Sequence, residues 1–265
     1  MSRRLLSRGS SVYFIAPKGG ITKEYGMNKK KLYGAILFDL DGTLLPMDQD
    51  DFIKAYSRGL AMAIAPYGFD KATLGKALWA GISSMVKNDG SKTNEEAFNE
   101  VFSAVLGINI SKLQKSFDEY YVNEFPKVKN VCGYDEKAAN TVREIKNMGF
   151  RVALATNPFF PSTATEQRIG WTGLTPSDFE IYTTFEDYHF CKPNLNYYRE
   201  VMAKLEVTPE ECLMVGNDVG EDMIAESLGC KVFLLTKCLI NKENKDISAY
   251  PHGDLDDLLA FVKEL

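Results

Sequence analysis

Three apolar runs in this chain end in polar side chains that could share one site. Ala35–Phe38 leads into Asp39-Leu40-Asp41-Gly42-Thr43, Val152–Ala155 into Thr156-Asn157-Pro158, and Cys212–Val215 into Gly216-Asn217-Asp218. As strands of one parallel sheet, they would deliver a carboxylate, a hydroxyl and a carboxylate to a single edge. Open α/β sheets bind ligands there, beyond the carboxyl ends of their strands. Asp218 and Asp222 are four residues apart, so both can face one hard-cation site built from oxygen ligands. A D-x-D-G-T run after an apolar strand arises by chance on the order of once in several hundred chains of average composition. Each motif has a plainer reading when taken singly. The first could be a polar turn with glycine at positive φ, the second a β-branched strand end. The third could be an acidic helix start complementing the macrodipole, a reading that also covers Glu221.

The elements that must hold these residues follow from periodicity. The three runs and Val232–Leu235 are apolar on both faces, as buried parallel strands are, and Ile181–Phe185 reads as a weaker strand. Helical spacing fills the gaps at Glu136–Met148, where Gly149 follows as a C-terminal cap, and at Asn196–Leu205, Asp222–Leu228 and Asp254–Glu264. This alternation predicts an α/β fold, a doubly wound parallel sheet. Between the first strand and the next lies a stretch, 47–130, that reads as helices only: Asp51–Ala65, Lys71–Val86, Glu95–Leu106 and Ser111–Glu124. A separate small helical domain is expected there, with the core formed by 27–46 and 131–265. Trp79, Met62, Met85 and Phe98 fall on apolar stripes of the insert and are expected to pack in its core. Asp48, Gln49 and Asp50 sit where the insert leaves the core and could face a ligand. His189 reads as a loop histidine rather than a base.

Composition narrows the partners. Of 265 residues 45% are hydrophobic and 25% charged, as in an ordinary globular protein, and the formal net charge is −5. Five basic residues (Arg3, Arg4, Arg8, Lys18, Lys23) against Glu24 give residues 1–26 a net +4 and leave −9 for the rest. That balance argues against nucleic acid and anionic membranes as partners. No apolar stretch approaches the roughly 20 residues needed to span a bilayer. The five cysteines are scattered without a CxxC pair, and only two histidines exist. Reduced thiols in a cytoplasmic protein are therefore expected rather than a zinc site or disulfides. Residues 1–26 lack clear periodicity and are expected to lie outside the core. Met27-Asn28-Lys29-Lys30-Lys31 reads as the natural start of the protein.

The strand-end motifs, with Cys191-Lys192-Pro193-Asn194 between the second and the fourth, resemble those of the haloacid dehalogenase-like (HAD) hydrolase superfamily. The resemblance runs from residue 34 to about 236, with the four family motifs in order. It implies a Rossmann-like core and a helical C1-type cap inserted after the first strand, which closes over the site and selects small substrates. By that resemblance Asp39 is the nucleophile that takes a phosphoryl group as an aspartyl-phosphate. Asp41 protonates the departing alcohol and later deprotonates water. Thr156, Asn157 and Lys192 bind the phosphoryl group. The implied cofactor is Mg²⁺, held by Asp39, the backbone carbonyl of Asp41, and Asp218, with Asp222 in support. Asn217 departs from many members, which carry Asp in a wider-spaced version of this motif. A carboxylate attacking a phosphate dianion needs its repulsion cancelled, and a bridging divalent cation does so.

Asp41 argues against haloalkanoate dehalogenases, which lack the second aspartate and need no metal. Phosphonoacetaldehyde hydrolases use a cap lysine as a Schiff base, and nothing marks Lys76 or Lys87 as desolvated. The expectation is thus a Mg²⁺-dependent phosphatase acting on a small phosphorylated metabolite, as a monomer or weak homodimer. A phosphomutase of the β-phosphoglucomutase type shares all four motifs and remains open. A phosphoacceptor signalling or binding protein is the alternative of another class, disfavoured by the insert and by Asp41.

Overall fold

The computed structural model describes residues 34–265, together with two short strands, β1 (Phe14–Ile15) and β2 (Ile21–Thr22), which pair antiparallel. The expected non-core stretch 1–26 and the start at Met27 otherwise lie outside the described residues. Residues 33–265 form one compact unit.

Its centre is β3 (Ala35–Phe38), four apolar residues that are all buried. Parallel neighbours flank it on both sides: β4 (Val152–Leu154) and β5 (Cys212–Gly216). The sheet continues through β6 (Lys231–Leu235) and β7 (His252–Gly253), giving the order β4-β3-β5-β6-β7. Its register sets Phe38 beside Leu154 and Val215, so the polar residues that follow emerge on one edge. Two features differ from the periodicity reading. Ile181–Phe185 is not a strand of the sheet; it runs beside β4 through an isolated bridge, Leu154 to Tyr182, with Leu154 N–H donating to Ile181 O and Thr183 N–H to Leu154 O. The second is β7, a two-residue strand without an apolar run to announce it.

Insert helices α1 (Gln49–Ile64), α2 (Lys71–Val86) and α3 (Asn94–Leu106) are capped by Asp48, Asp70 and Thr93, whose side chains accept backbone N–H bonds in the first turn. Thr93 and Glu96 complete a capping box. Helix α4 (Gln114–Asn123) starts later than Ser111, since Asn109 caps a separate 3₁₀ turn over Ile110–Lys112. The insert leaves the sheet at Pro46-Met47 and returns at Cys132-Gly133. There Met47 pairs with Cys132, and Gly133 N–H donates to Pro46 O at 2.6 Å.

Core helices α5 (Glu136–Asn147), α7 (Leu195–Leu205) and α8 (Leu255–Lys263) bury apolar faces against the sheet. The expected helix at 222–228 is a 3₁₀ turn, Met223–Leu228, closed by Gly229 at φ +103°. Helix α6 (Ser162–Trp171) escapes the periodicity reading because its buried face mixes Ala164, Thr165, Arg168 and Ile169, with little apolar contrast. Among the described residues, no helix is long and apolar enough to cross a membrane.

Met62 and Trp79 do not pack in the insert core. They are 67% and 59% exposed, since α1 buries Phe52, Tyr56, Leu60 and Ile64, and α2 buries Leu74, Leu78 and Met85 instead. Phe52, Tyr56, Tyr120 and Phe125 of the insert share one buried cluster with Phe38 and Leu154 of the sheet. Phe125 lies at its heart, edge-on to Phe52 and stacked on Trp171 at 5.3 Å. Phe125→Ala should therefore lower the free energy of unfolding by about 3–5 kcal/mol. Because the cluster joins insert and sheet, urea unfolding followed by fluorescence and by circular dichroism should shift as one transition.

Candidate active site

The carboxyl edge of the sheet gathers the expected residues around one cavity of about 210 Å³. Asp39 follows directly from β3, its N–H bonded to Val215 O at 2.9 Å, and it is 7% exposed. The loop after it turns at Gly42, φ +86°, where a Cβ would stand 2.4 Å from Asn217 Nδ2. Glycine is required there both by the backbone and by that approach. Thr43 Oγ1 lies 3.1 Å from Asp39 Oδ2 and 2.8 Å from Asn217 Oδ1, so one hydroxyl ties the first motif to the end of β5.

Lys192 is the hub. Its ammonium is buried and donates to Asp39 Oδ1 at 2.8 Å and to Asp222 Oδ1 at 2.6 Å. Burial works to lower its pKa, but Asp222 and Asp39 outweigh that and hold it well above the usual lysine value. Burial pushes the Asp222 carboxyl up, and Lys192 offsets part of the rise. Asp222 Oδ2 accepts the Asp218 N–H at 3.0 Å, and Asp218 Oδ1 accepts from Gly220 and Glu221 N–H at 2.7 and 2.9 Å. Gly216 has to be small, since a Cβ there would fall 2.1 Å from Asp222 Oδ2.

Thr156 at the end of β4 is buried, and its carbonyl accepts bonds from the Thr183 and Tyr197 hydroxyls. Asn157 uses its side chain as a brace. Its Oδ1 accepts Lys192 N–H at 3.2 Å and its Nδ2 donates to Glu221 Oε2 at 2.9 Å. Glu221 thus belongs to the cavity wall instead of merely complementing a helix dipole, and burial raises its carboxyl pKa. Of Asp48, Gln49 and Asp50, Gln49 alone lines this cavity, while Asp48 caps α1. His189 pairs with Glu200 at 2.7 Å on a loop and is not among the residues lining the cavity.

Arg168 has no signal in the sequence, yet it is central. Fully buried on α6, its guanidinium bonds Asp41 Oδ2 and lies 4.4 Å over the Phe160 ring. Burial raises the Asp41 pKa, and Arg168 pulls it back. Asp41 Oδ1 and Arg168 Nε are both buried without a partner. A lone arginine in a polar-looking helix has no spacing to mark it; only its burial reveals the role.

Five carboxylates line the cavity (Asp39, Asp41, Asp218, Glu221, Asp222), against the two cations Lys192 and Arg168 bonded to them. That excess of negative charge suits an added cation. Among the described residues no three His, Cys, Asp or Glu side chains cluster closely enough to hold a metal alone. The donor set fits Mg²⁺ nevertheless, because that ion is commonly held by one or two carboxylates, with water and phosphate oxygens completing its shell. Asp39, Asp218 and the Asp41 carbonyl are the groups that could hold it.

A parallel sheet with an acid pair, a buried lysine and a second acidic loop at its carboxyl edge has the form of an α/β enzyme. The chain belongs to the haloacid dehalogenase-like hydrolase family, whose model matches residues 33–226. It is 25% identical over 205 residues to the bifunctional riboflavin kinase/FMN phosphatase of Arabidopsis thaliana, a match covering 77% of this chain and 48% of that protein. To the glyceraldehyde 3-phosphate phosphatase of Methanocaldococcus jannaschii it is 25% identical over 232 residues, 87% of this chain and 97% of the relative. In fold it is similar to a crystal structure described as a predicted phosphoglycolate phosphatase from Haemophilus somnus 129pt. That match has TM-score 0.54 and 18% identity and covers 87% of this chain and 98% of the other.

Arg168→Met leaves Asp41 without its counter-ion, and breaking a buried pair in this way should lower stability by about 3–5 kcal/mol. Adding Asp41→Leu should recover most of the loss. A double-mutant cycle from urea unfolding checks both.

Proposed function

We propose that the protein is a Mg²⁺-dependent phosphatase that hydrolyses a small phosphorylated metabolite through an aspartyl-phosphate. The observation that carries this reading is Asp39 at the cavity floor, hydrogen-bonded at 2.8 Å to the buried ammonium of Lys192, with Asp41 two residues on. Asp39 attacks phosphorus in line with the leaving oxygen. Asp41, its carboxyl pKa raised by burial, gives its proton to that oxygen as the alcohol departs. The same carboxylate then takes a proton from the water that attacks the aspartyl-phosphate, releasing phosphate and restoring Asp39. Lys192 and the Thr156 hydroxyl hold the phosphoryl oxygens, Lys192 as a point charge. Asn157 positions the Lys192 loop. Mg²⁺, when bound by Asp39, the Asp41 carbonyl and Asp218, supplies the charge that offsets repulsion between carboxylate and phosphate.

The helices of 47–130 act in this reading as a cap that excludes bulk water from the reacting groups. Substrates of small-molecule size suit a site roofed in this way. The proposed location is the cytoplasm, where the five free thiols stay reduced.

Asp39→Asn is nearly isosteric. It should leave the circular dichroism spectrum and urea midpoint unchanged, and lower phosphate release from acetyl phosphate by at least about a hundredfold. A smaller loss removes Asp39 from the nucleophile role. Asp218→Ala should raise the Mg²⁺ concentration for half-maximal rate by about tenfold or more. An unchanged metal titration would transfer the ligand role to another group.

A further inference from the structure

The wall of the cavity facing the acidic floor is apolar and aromatic. Ile53, Trp79, Ile82 and Phe98 come from the insert helices, and Phe159 and Phe185 from loops of the core. Trp79 is 59% exposed and Ile53 39% exposed, so both leave apolar surface open at the cavity. Among the described residues, this lining contains no lysine, arginine or histidine. Lys54 on α1 pairs with Asp51, Lys92 just before α3 pairs with Glu100, and Arg58 and Lys71 line a separate groove between α1 and α2. Every charged residue of the lining is acidic.

Resting on the phosphatase reading, we propose that the substrate is a phosphate monoester of an uncharged alcohol bearing one aromatic or similarly apolar ring. The phosphoryl group would meet Asp39 and Lys192, and the ring would lie against Trp79, Phe98 and Phe185. A second anionic group on the substrate, whether carboxylate or phosphate, would find no cation at this lining beyond Lys192 and Arg168, which are already paired, and five carboxylates nearby. Size agrees as well. A dry apolar cavity of about 150 Å³ already holds benzene, and this one measures about 210 Å³ with the phosphoryl subsite included. Trp79 provides a flat, polarisable face that ring stacking would cover.

The test compares benzyl phosphate with phosphoglycolate, both esters of primary alcohols, with acetyl phosphate as a ringless reference. Wild-type protein with Mg²⁺ should turn over benzyl phosphate with kcat/KM at least tenfold above phosphoglycolate. In Trp79→Ala, a substitution at an exposed position, the ratio of benzyl phosphate to acetyl phosphate should fall by about tenfold. Ser57→Arg, which adds a cation to the cavity wall, should narrow the gap by raising phosphoglycolate turnover. Equal or faster turnover of phosphoglycolate by wild type overturns the substrate class while leaving the phosphatase reading intact. Ratios unmoved by both substitutions overturn the assignment to this wall. Absence of phosphate release from all three compounds overturns the phosphatase reading, and the substrate class with it.

Discussion

One buried ammonium holds the site together. Lys192 must be compensated because an unpaired charge at that depth would be prohibitively costly. The groups that compensate it come from different parts of the sheet edge: Asp39 from the end of β3, and Asp222 from the loop after β5. Its own backbone is fixed by Asn157 from the end of β4. Three strand ends are thereby set relative to one another by a single residue. The glycines follow from the same constraint. Gly216 lets Asp222 come close enough to reach the ammonium, and Gly42 lets the first loop close over Asn217.

A second buried pair, Arg168 with Asp41, stands beside the first and differs in kind. Lys192 is shared between two carboxylates, whereas Arg168 serves one and leaves a polar atom on each partner unsatisfied. Well-packed apolar groups in place of a buried ion pair are often as stable or more so. The pair therefore reads as a device that orients Asp41, with the aromatic ring of Phe160 stacked on the guanidinium.

Much of this was legible in the residues alone. Strands β3 to β6 read as apolar runs, because a strand buried on both faces leaves little room for polar side chains. Asp39, Thr156 and Asp218 were marked by their position just beyond those runs. What escaped had a physical reason each time. Helix α6 hides its role because its buried face mixes Ala164, Ile169 and Trp171 with Thr165 and Arg168, so neither the helix nor Arg168 stands out. Trp79 looks like a core residue by type and spacing, yet its side chain is left exposed at the cavity wall, a matter of rotation about α2 that composition does not encode. By sequence Asn157 reads as a phosphate-binding residue and Glu221 as part of an acidic helix start; their mutual bond depends on how two loops meet.

The placement of the insert has a consequence for how the chain reaches its fold. Ile36 pairs with Val152 on one side and with Leu213 on the other, so the strand carrying Asp39 is made long before either of its neighbours. Until then its four apolar residues and the acid pair have no partner. The helices that follow can assemble sooner, since Ile64, Leu74, Phe102 and Leu113 form a cluster of their own from nearby sequence. Non-local strand pairing is slow because loop closure must precede any gain from contact. A chain emerging from the ribosome would thus complete its roof before its floor, and the pairing of Met47 with Cys132 marks where the roof's two ends draw the separated sheet segments together.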